Sequence, residues 1–308
     1  MTASGPPGTG ELAASYAACA SLARAHYENF PVASRLLPAS MRPHVSAVYA
    51  FARIADDVAD EPGLAAAERL RLLDLWERAL RAAVDGAGER LRAVLAEPGV
   101  PPLAADVFRA VPHTIQTHRL PVDLFTDLLS AFRQDVVTTR YDSWDGVLDY
   151  CRRSANPVGR LVLRLAGVRD AAADRAADAL CTALQLTNFW QDLAVDWSRG
   201  RLYVPGEEYL AAGADPAALD SGRLDAAWQR TMAAAGTRTA ALFDEGRGVC
   251  DVVRGRLRYE LRATWLGGRC ILDRLAAADY DVFTARPKLG AGDLVVIGWR
   301  AALWPRRR

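Results

Sequence analysis

Apolar residues recur at intervals of three and four along most of this chain, the spacing that lines one face of an α-helix. Leu64 to Val84 and Asp174 to Trp197 are the longest clear examples. Strand-like alternation is absent apart from the short run Leu202-Tyr203-Val204, which lies between Gly200 and Pro205 and reads as loop. Breaks are expected at Pro31, Pro38, Pro43, Pro62, Pro98 to Pro102, Pro121, Pro157, Gly200, Pro205, Pro216 and Pro287. The pattern predicts an all-α fold in a single domain. Residues 1–10 form a small, polar leader expected to be disordered, residues 11–290 the helical body, and residues 291–308 an apolar and then basic tail.

Composition narrows the class. With 308 residues, 51% of them apolar, the chain can bury a large core without disulfides or metal staples. Lys288 is the only lysine, so nearly every cation is an arginine. A net charge of +1 leaves no electrostatic footprint for nucleic acid. Cys19, Cys151, Cys181, Cys250 and Cys270 form no CxxC pair, and the four histidines lack metal-ligand spacing. A reducing, cytoplasmic setting is expected. The N-terminus does not read as a signal peptide, and no apolar run reaches the roughly 18–20 residues needed to span a bilayer. The segment Asp293 to Trp304, followed by Pro305 and three arginines, has two readings. It is a terminal helix docked on the body, or an interfacial anchor that makes the protein peripheral at the inner face of the membrane.

Candidate chemistry sits in two polar stripes. In Tyr49-Ala-Phe-Ala-Arg53-Ile-Ala-Asp56-Asp57-Val-Ala-Asp60-Glu61, helical spacing puts Tyr49, Arg53, Asp56 and Asp60 on one side, with Asp57 about 100° away. Alone, this stripe is also compatible with a solvated acidic helix end before Pro62. In the second stripe Gln185, Asn188, Asp192 and Asp196 share a side of a helix, with Leu184, Leu186, Phe189, Trp190, Leu193, Val195 and Trp197 as apolar neighbours. Like charges one turn apart repel unless a cation bridges them. Oxygen-only ligands suit magnesium, with manganese as its substitute. Two such helices facing each other would hold magnesium ions bridged by a diphosphate. Arg53 is a natural phosphate clamp. Arg199 and Arg201, on a glycine-hinged loop past Asp196, are candidates for the same task or an ordinary basic helix end.

The stretches YAFARIADDVADE (49–61) and QLTNFWQDLAVDWSRGRLYVP (185–205) resemble the squalene/phytoene synthase family, and the resemblance runs from about His26 to Gly268. HYENFPVASRLLP (26–38), YCRRSANPVGRL (150–161) and NFWQD (188–192) are similar to its bacterial hopanoid-pathway branch. The resemblance implies an all-α isoprenoid-synthase bundle with a central active-site cavity. It carries metal-ligand roles onto Asp56, Asp60, Asn188, Asp192 and Asp196, and diphosphate-contact roles onto His26, Arg53 and Tyr150. Gln185 matches a polar position of the cavity. In one departure, Gln191 stands where many condensing relatives have arginine, removing a positive charge beside the diphosphate.

That departure favours one diphosphate substrate over two. The expected reaction is ionisation of presqualene diphosphate and capture of the rearranged cation by water, giving hydroxysqualene. Tyr150 would orient the leaving group or the water. No Gly-rich nicotinamide turn follows a strand, which agrees with water rather than hydride as the quencher. The alternatives are head-to-head condensation of farnesyl or geranylgeranyl diphosphate, and a non-catalytic helical assembly subunit. Partners beyond the prenyl diphosphate are pathway enzymes and the membrane contact above. Two readings, close substrate passage and tight helix packing, stay open for Ser154-Ala-Asn156-Pro157-Val-Gly159. Arg258 and Arg262, one turn apart, either reach a diphosphate or lie on a solvated face, and the solvated face is the expectation. Phe51, Phe132 and Trp190 are expected in the core.

Overall fold

The structure, a computed structural model, describes residues 9–25 and 36–305. His26 and most of the 26–38 stretch lie outside the described residues, as do residues 1–8 of the leader and the final three arginines. The chain divides into two compact units, residues 1–137 with 161–167, and residues 138–160 with 168–308. Both are helical, and among the described residues the only sheet-like pairing is the isolated bridge between Arg140 and Leu202.

The first unit contains α1 (Thr9–Ala25), α2 (Arg42–Asp60), α3 (Ala66–Val84), α4 (Gly88–Leu95), α5 (Ala104–His118) and α6 (Asp123–Val137). Pro43 does not break α2 but opens it, in the first turn where a missing N–H costs nothing. Pro112 sits inside α5, a helical position the breaker rule does not anticipate. The α2 helix packs against α1, α3, α5 and α6, and so is buried around most of its circumference. Phe51 is fully buried at this junction, its ring centroid 5.9 Å from Trp76, 6.3 Å from Phe108 and 5.3 Å from Phe125. The Trp76 indole N–H donates to the Phe51 carbonyl at 3.3 Å.

At the other end of the same unit, α1, α2 and α5 meet around Tyr16. Its hydroxyl lies 3.1 Å from His44 Nδ1, 2.8 Å from His113 Nδ1 and 2.8 Å from Thr114 Oγ1. His118 stands edge-on to His44, with 4.3 Å between ring centroids. Burial, with the neighbouring His118 and His113, lowers the His44 pKa to about 4.

The second unit contains α7 (Trp144–Ser154), the start of α8 (Asn156–Leu165), α9 (Ala171–Ser198), α10 (Gly206–Ala211), a 3₁₀ turn at Pro216–Ser221, α11 (Ala226–Gly246), α12 (Val249–Val252), α13 (Leu257–Ala277) and α14 (Ala291–Ala302). Pro157 separates α7 from α8 as expected. At Gly159 the packing is tight, because a Cβ there would lie 2.6 Å from Cys181 Sγ on α9. Asn156 Oδ1 accepts from Thr182 Oγ1 at 2.9 Å, so Asn156 and Gly159 both contribute to helix packing.

The 28-residue α9 begins at Asp170, whose side chain caps Ala173 N–H, and packs on α7, α11, α12 and α13. Its closest contact is with α11, where a Cβ on Gly246 would fall 2.5 Å from the Leu180 backbone nitrogen. Trp190 is fully buried and donates to Thr239 Oγ1 at 2.8 Å, which fixes the rotation of α9. Phe51 and Trp190 are therefore core, as is Phe132 at 9% exposure.

Near the C-terminus Arg262 corrects the expectation of a solvated face. It is buried, donates to Asp251 Oδ1 at 2.9 Å and lies 5.6 Å from the Trp304 ring. The α14 helix docks on α13 through Ile297 and Ala301. Among the described residues, no helix is long and apolar enough to cross a membrane.

Candidate active site

The α2 stripe is the strip of that helix left open by its neighbours. Arg53 and Asp56 are half-buried, and Asp57 and Asp60 are exposed. Arg53 bridges two carboxylates of its own helix, with Nη1 3.4 Å from Asp56 Oδ2 and Nη2 2.5 Å from Asp57 Oδ1. Asp57 thus acts as a tether for Arg53, a role its position off the Asp56–Asp60 line left undefined. Burial is the main influence on the Tyr49 phenol and raises its pKa, with Arg53 opposing and the two aspartates adding.

The α9 stripe is only partly covered. Asn188 is exposed, and Gln185, Asp192 and Asp196 are half-buried. Off this stripe, Gln191 of the same helix is buried, at 9% exposure. Its Nε2 donates to the Pro287 carbonyl at 2.5 Å. Next to it, Asp192 Oδ1 accepts from Arg286 Nε at 2.5 Å. The sequence offered no sign of this arginine beyond its place before an expected break at Pro287, because the partners lie 94 positions apart.

On the neighbouring side, Tyr150 of α7 is buried among aromatic rings. Its centroid lies 5.8 Å from Tyr141, 6.0 Å from Phe189 and 6.1 Å from Tyr203. Phe189 and Tyr203 stack at 3.9 Å with 5° between planes. Phe189 follows Asn188 on α9, so this aromatic wall adjoins the polar stripe. Tyr203 comes from the loop after α9, where Gly200 takes φ +77° and Arg201 N–H returns to the Asp196 carbonyl at 2.9 Å. Leu202 N–H then bonds to Thr139 O at 2.8 Å, carrying the loop back toward α7. The Arg201 side chain is half-buried, and that of Arg199 is exposed.

The donor set suits a hard cation. Among the described residues no three His, Cys, Asp or Glu side chains gather closely enough to form a metal cage. Magnesium seldom requires one, since it commonly takes one or two carboxylates and fills its shell with water and phosphate oxygens. Asp56 with Asp60, and Asn188 with Asp192 and Asp196, each offer only oxygen ligands one helical turn apart and open to solvent.

A family model described as squalene/phytoene synthase matches residues 23–293, and the chain belongs to that family. It is accordingly an enzyme of the prenyl-diphosphate class, with the all-α fold expected from its sequence. Its relatives include a hydroxysqualene synthase of Sinorhizobium fredii, 36% identical over 76% of this chain and 74% of the relative. Another, from Rhodopseudomonas palustris, is 38% identical over 71% of this chain and 69% of the relative. Among solved structures, a squalene synthase HpnC of Alicyclobacillus acidocaldarius superposes with a TM-score of 0.78 at 38% identity, covering 89% of this chain and 97% of that one. A dehydrosqualene synthase in complex with ligand gives a TM-score of 0.80 at 23% identity, over 96% of this chain and 98% of that one.

Proposed function

We propose that the chain converts presqualene diphosphate and water to hydroxysqualene and inorganic diphosphate, with magnesium as its metal, on a route to squalene and hopanoids. The observation that carries this reading is the condition of position 191. Gln191 is neutral, buried and committed to the Pro287 carbonyl, so α9 adds no cation of its own beside Asp192. Among the described residues a single arginine, Arg286, meets that carboxylate. This charge balance suits departure of one diphosphate better than two. The identity to hydroxysqualene synthases over most of the chain supports the same choice.

In this reading Asp56, Asp60, Asn188, Asp192 and Asp196 hold magnesium, which neutralises charge on the departing diphosphate. The cyclopropylcarbinyl C–O bond breaks and its electron pair leaves with the diphosphate. The carbon skeleton rearranges, a water oxygen donates a lone pair to the resulting cation, and the water loses a proton. Arg53 steadies phosphate oxygens by charge-assisted hydrogen bonds, with Arg201 and His26 assigned the same task and Gln185 a polar place in the cavity. The faces of Tyr150, Phe189 and Tyr203 offer π-density to a carbocation, and the Tyr150 phenol orients leaving group or water. Head-to-head condensation is the second reading and predicts turnover of farnesyl or geranylgeranyl diphosphate alone.

The test is incubation with presqualene diphosphate in ¹⁸O-water. The expected product is hydroxysqualene carrying the label, unchanged by reduced nicotinamide. Squalene formed only with reduced nicotinamide, or efficient turnover of farnesyl diphosphate alone, sinks the reading.

The proposal includes peripheral contact with an anionic membrane through α14, in a cytoplasmic protein. Val295, Val296, Trp299 and Leu303 are 54–73% exposed and line one side of this helix, with Arg300 at its flank. Such a face suits the headgroup boundary, and an apolar substrate and product suit that location. Vesicles with phosphatidylserine should co-sediment the protein, and Val295→Asp with Trp299→Asp should abolish sedimentation. Equal sedimentation of the double variant rules out this contact.

A further inference from the structure

We infer that Gln191 is a positioning residue: by pinning the Pro287 carbonyl to α9 it sets Arg286 on Asp192. The cation at this carboxylate is thereby supplied by the segment between α13 and α14 rather than by α9.

Three bonds hold residues 286–288. Arg286 meets Asp192, Gln191 Nε2 donates to Pro287 O, and Arg274 Nη1 donates to Lys288 O at 2.6 Å. They differ in environment. The Arg286–Asp192 pair is 36% and 25% exposed at its side chains, where water weakens an ion pair. Arg274 reaches Lys288 across an exposed surface. Only the Gln191 bond starts from a buried side chain, and a buried amide left without an acceptor is costly. The amide orientation is also fixed chemically, since a proline carbonyl can only accept. Gln191 is therefore the anchor, and Arg286 follows it by one peptide unit. An arginine at 191 would place a like charge beside Arg286.

The effect on catalysis rests on the proposed role of Asp192, whereas the anchoring does not. Lys288 makes the two separable, because the only lysine of the chain lies in the held segment and is exposed. A lysine-specific endoprotease on the folded protein cuts there once the segment opens. Gln191→Met keeps the volume and removes the donor. It should speed cleavage about 5- to 30-fold, the factor expected for loss of one buried hydrogen bond. Arg286→Gln should speed it less than about 5-fold, as an exposed pair does. Unchanged cleavage in Gln191→Met, or a larger effect from Arg286→Gln, overturns the anchor.

The kinetic arm uses the double variant. If Gln191 acts through Arg286, Gln191→Met should lower kcat for presqualene diphosphate in the parent and add no further loss in the Arg286→Gln background. Full additivity overturns the positioning role and leaves Gln191 a packing residue. Cleavage requires no substrate, so failure of presqualene diphosphate to react would sink the proposed reaction while the protease still judges the anchor.

Discussion

The α2 and α9 stripes solve the same electrostatic problem by different means. Both line up carboxylates one helical turn apart, and in both an arginine meets one of them. On α2 the arginine is local: Arg53 reaches Asp56 and Asp57, three and four residues away. On α9 it is distant, since Arg286 comes from beyond α13. A local clamp forms whenever its helix forms. A distant one depends on the path of a segment and on whatever holds that segment in place. The two stripes should therefore respond unequally to substitutions around them, though equally to loss of the carboxylates themselves.

The largest expected effect tests that equality. Chelation should abolish turnover and added magnesium restore it. Asp56→Asn and Asp192→Asn should each lower kcat about 10³-fold or more, in the range of about 4 kcal/mol lost when leaving-group stabilisation is removed. Melting temperatures should hardly move, because relief of repulsion offsets loss of a partly exposed pair to Arg53 or Arg286. If either variant turns over normally in metal-free buffer, that stripe is structural and the comparison fails.

Packing provides the next separation. Gly246→Ala would drive a methyl group into the backbone of α9 at Leu180, and should destabilise the protein by about 1–3 kcal/mol. Hydrogen exchange should show the lost protection in α9 and α11, with α2 less affected. Uniform loss along the chain would mean that the two units do not open separately.

Acid should do the reverse. All four histidines lie in the first 118 residues, so none belongs to the second unit. With the folded pKa of His44 lowered to about 4 from an ordinary 6.5, the unfolded chain binds more protons between these values. Stability is thus intact above about pH 6.5 and declines as pH falls toward 4. Because the His44 ring is only partly buried, the loss is on the order of 1–2 kcal/mol, less than the full shift implies. Hydrogen exchange at pH 5 should weaken protection in α1, α2 and α5, and His44→Phe should flatten the dependence. Loss confined to α9 would contradict the assignment.

The smallest effect concerns Asp57. Asp57→Asn removes an exposed contact of Arg53 and should cost within about 1 kcal/mol, or 1–3 °C in melting temperature. A large loss of kcat instead would move Asp57 from tether to ligand.

These contrasts follow what was legible in the sequence. Helical periodicity located α3 and α9 to within a few residues, and the Pro157 break fell where expected. The stripe members Asp56, Asp60, Asn188, Asp192 and Asp196 could be read because their relation is the turn of a single helix. Arg286 could not, because its relation to Asp192 exists only after residues 199–285 have folded between them. For the same reason Gln191 read as a missing charge, when its meaning lies in the carbonyl it meets. Tyr203 was visible only as part of a loop run, although its stacking on Phe189 builds the aromatic wall. Arg262 was assigned to solvent on charge alone, whereas Asp251 and two aromatic rings make its burial tolerable. Pro43 and Pro112 show that a proline signals a boundary only when position along the helix is known.

The close contact between α9 and α11 has a mechanical consequence. With Gly246 against the Leu180 backbone and Trp190 tied to Thr239, α9 has little freedom to slide or rotate. It behaves as a fixed ruler whose rungs, about 6 Å apart at four residues and 1.5 Å each, do not adjust to the molecule laid against them. Adjustment to a bound molecule then falls to lighter parts, the side chains that α9 carries.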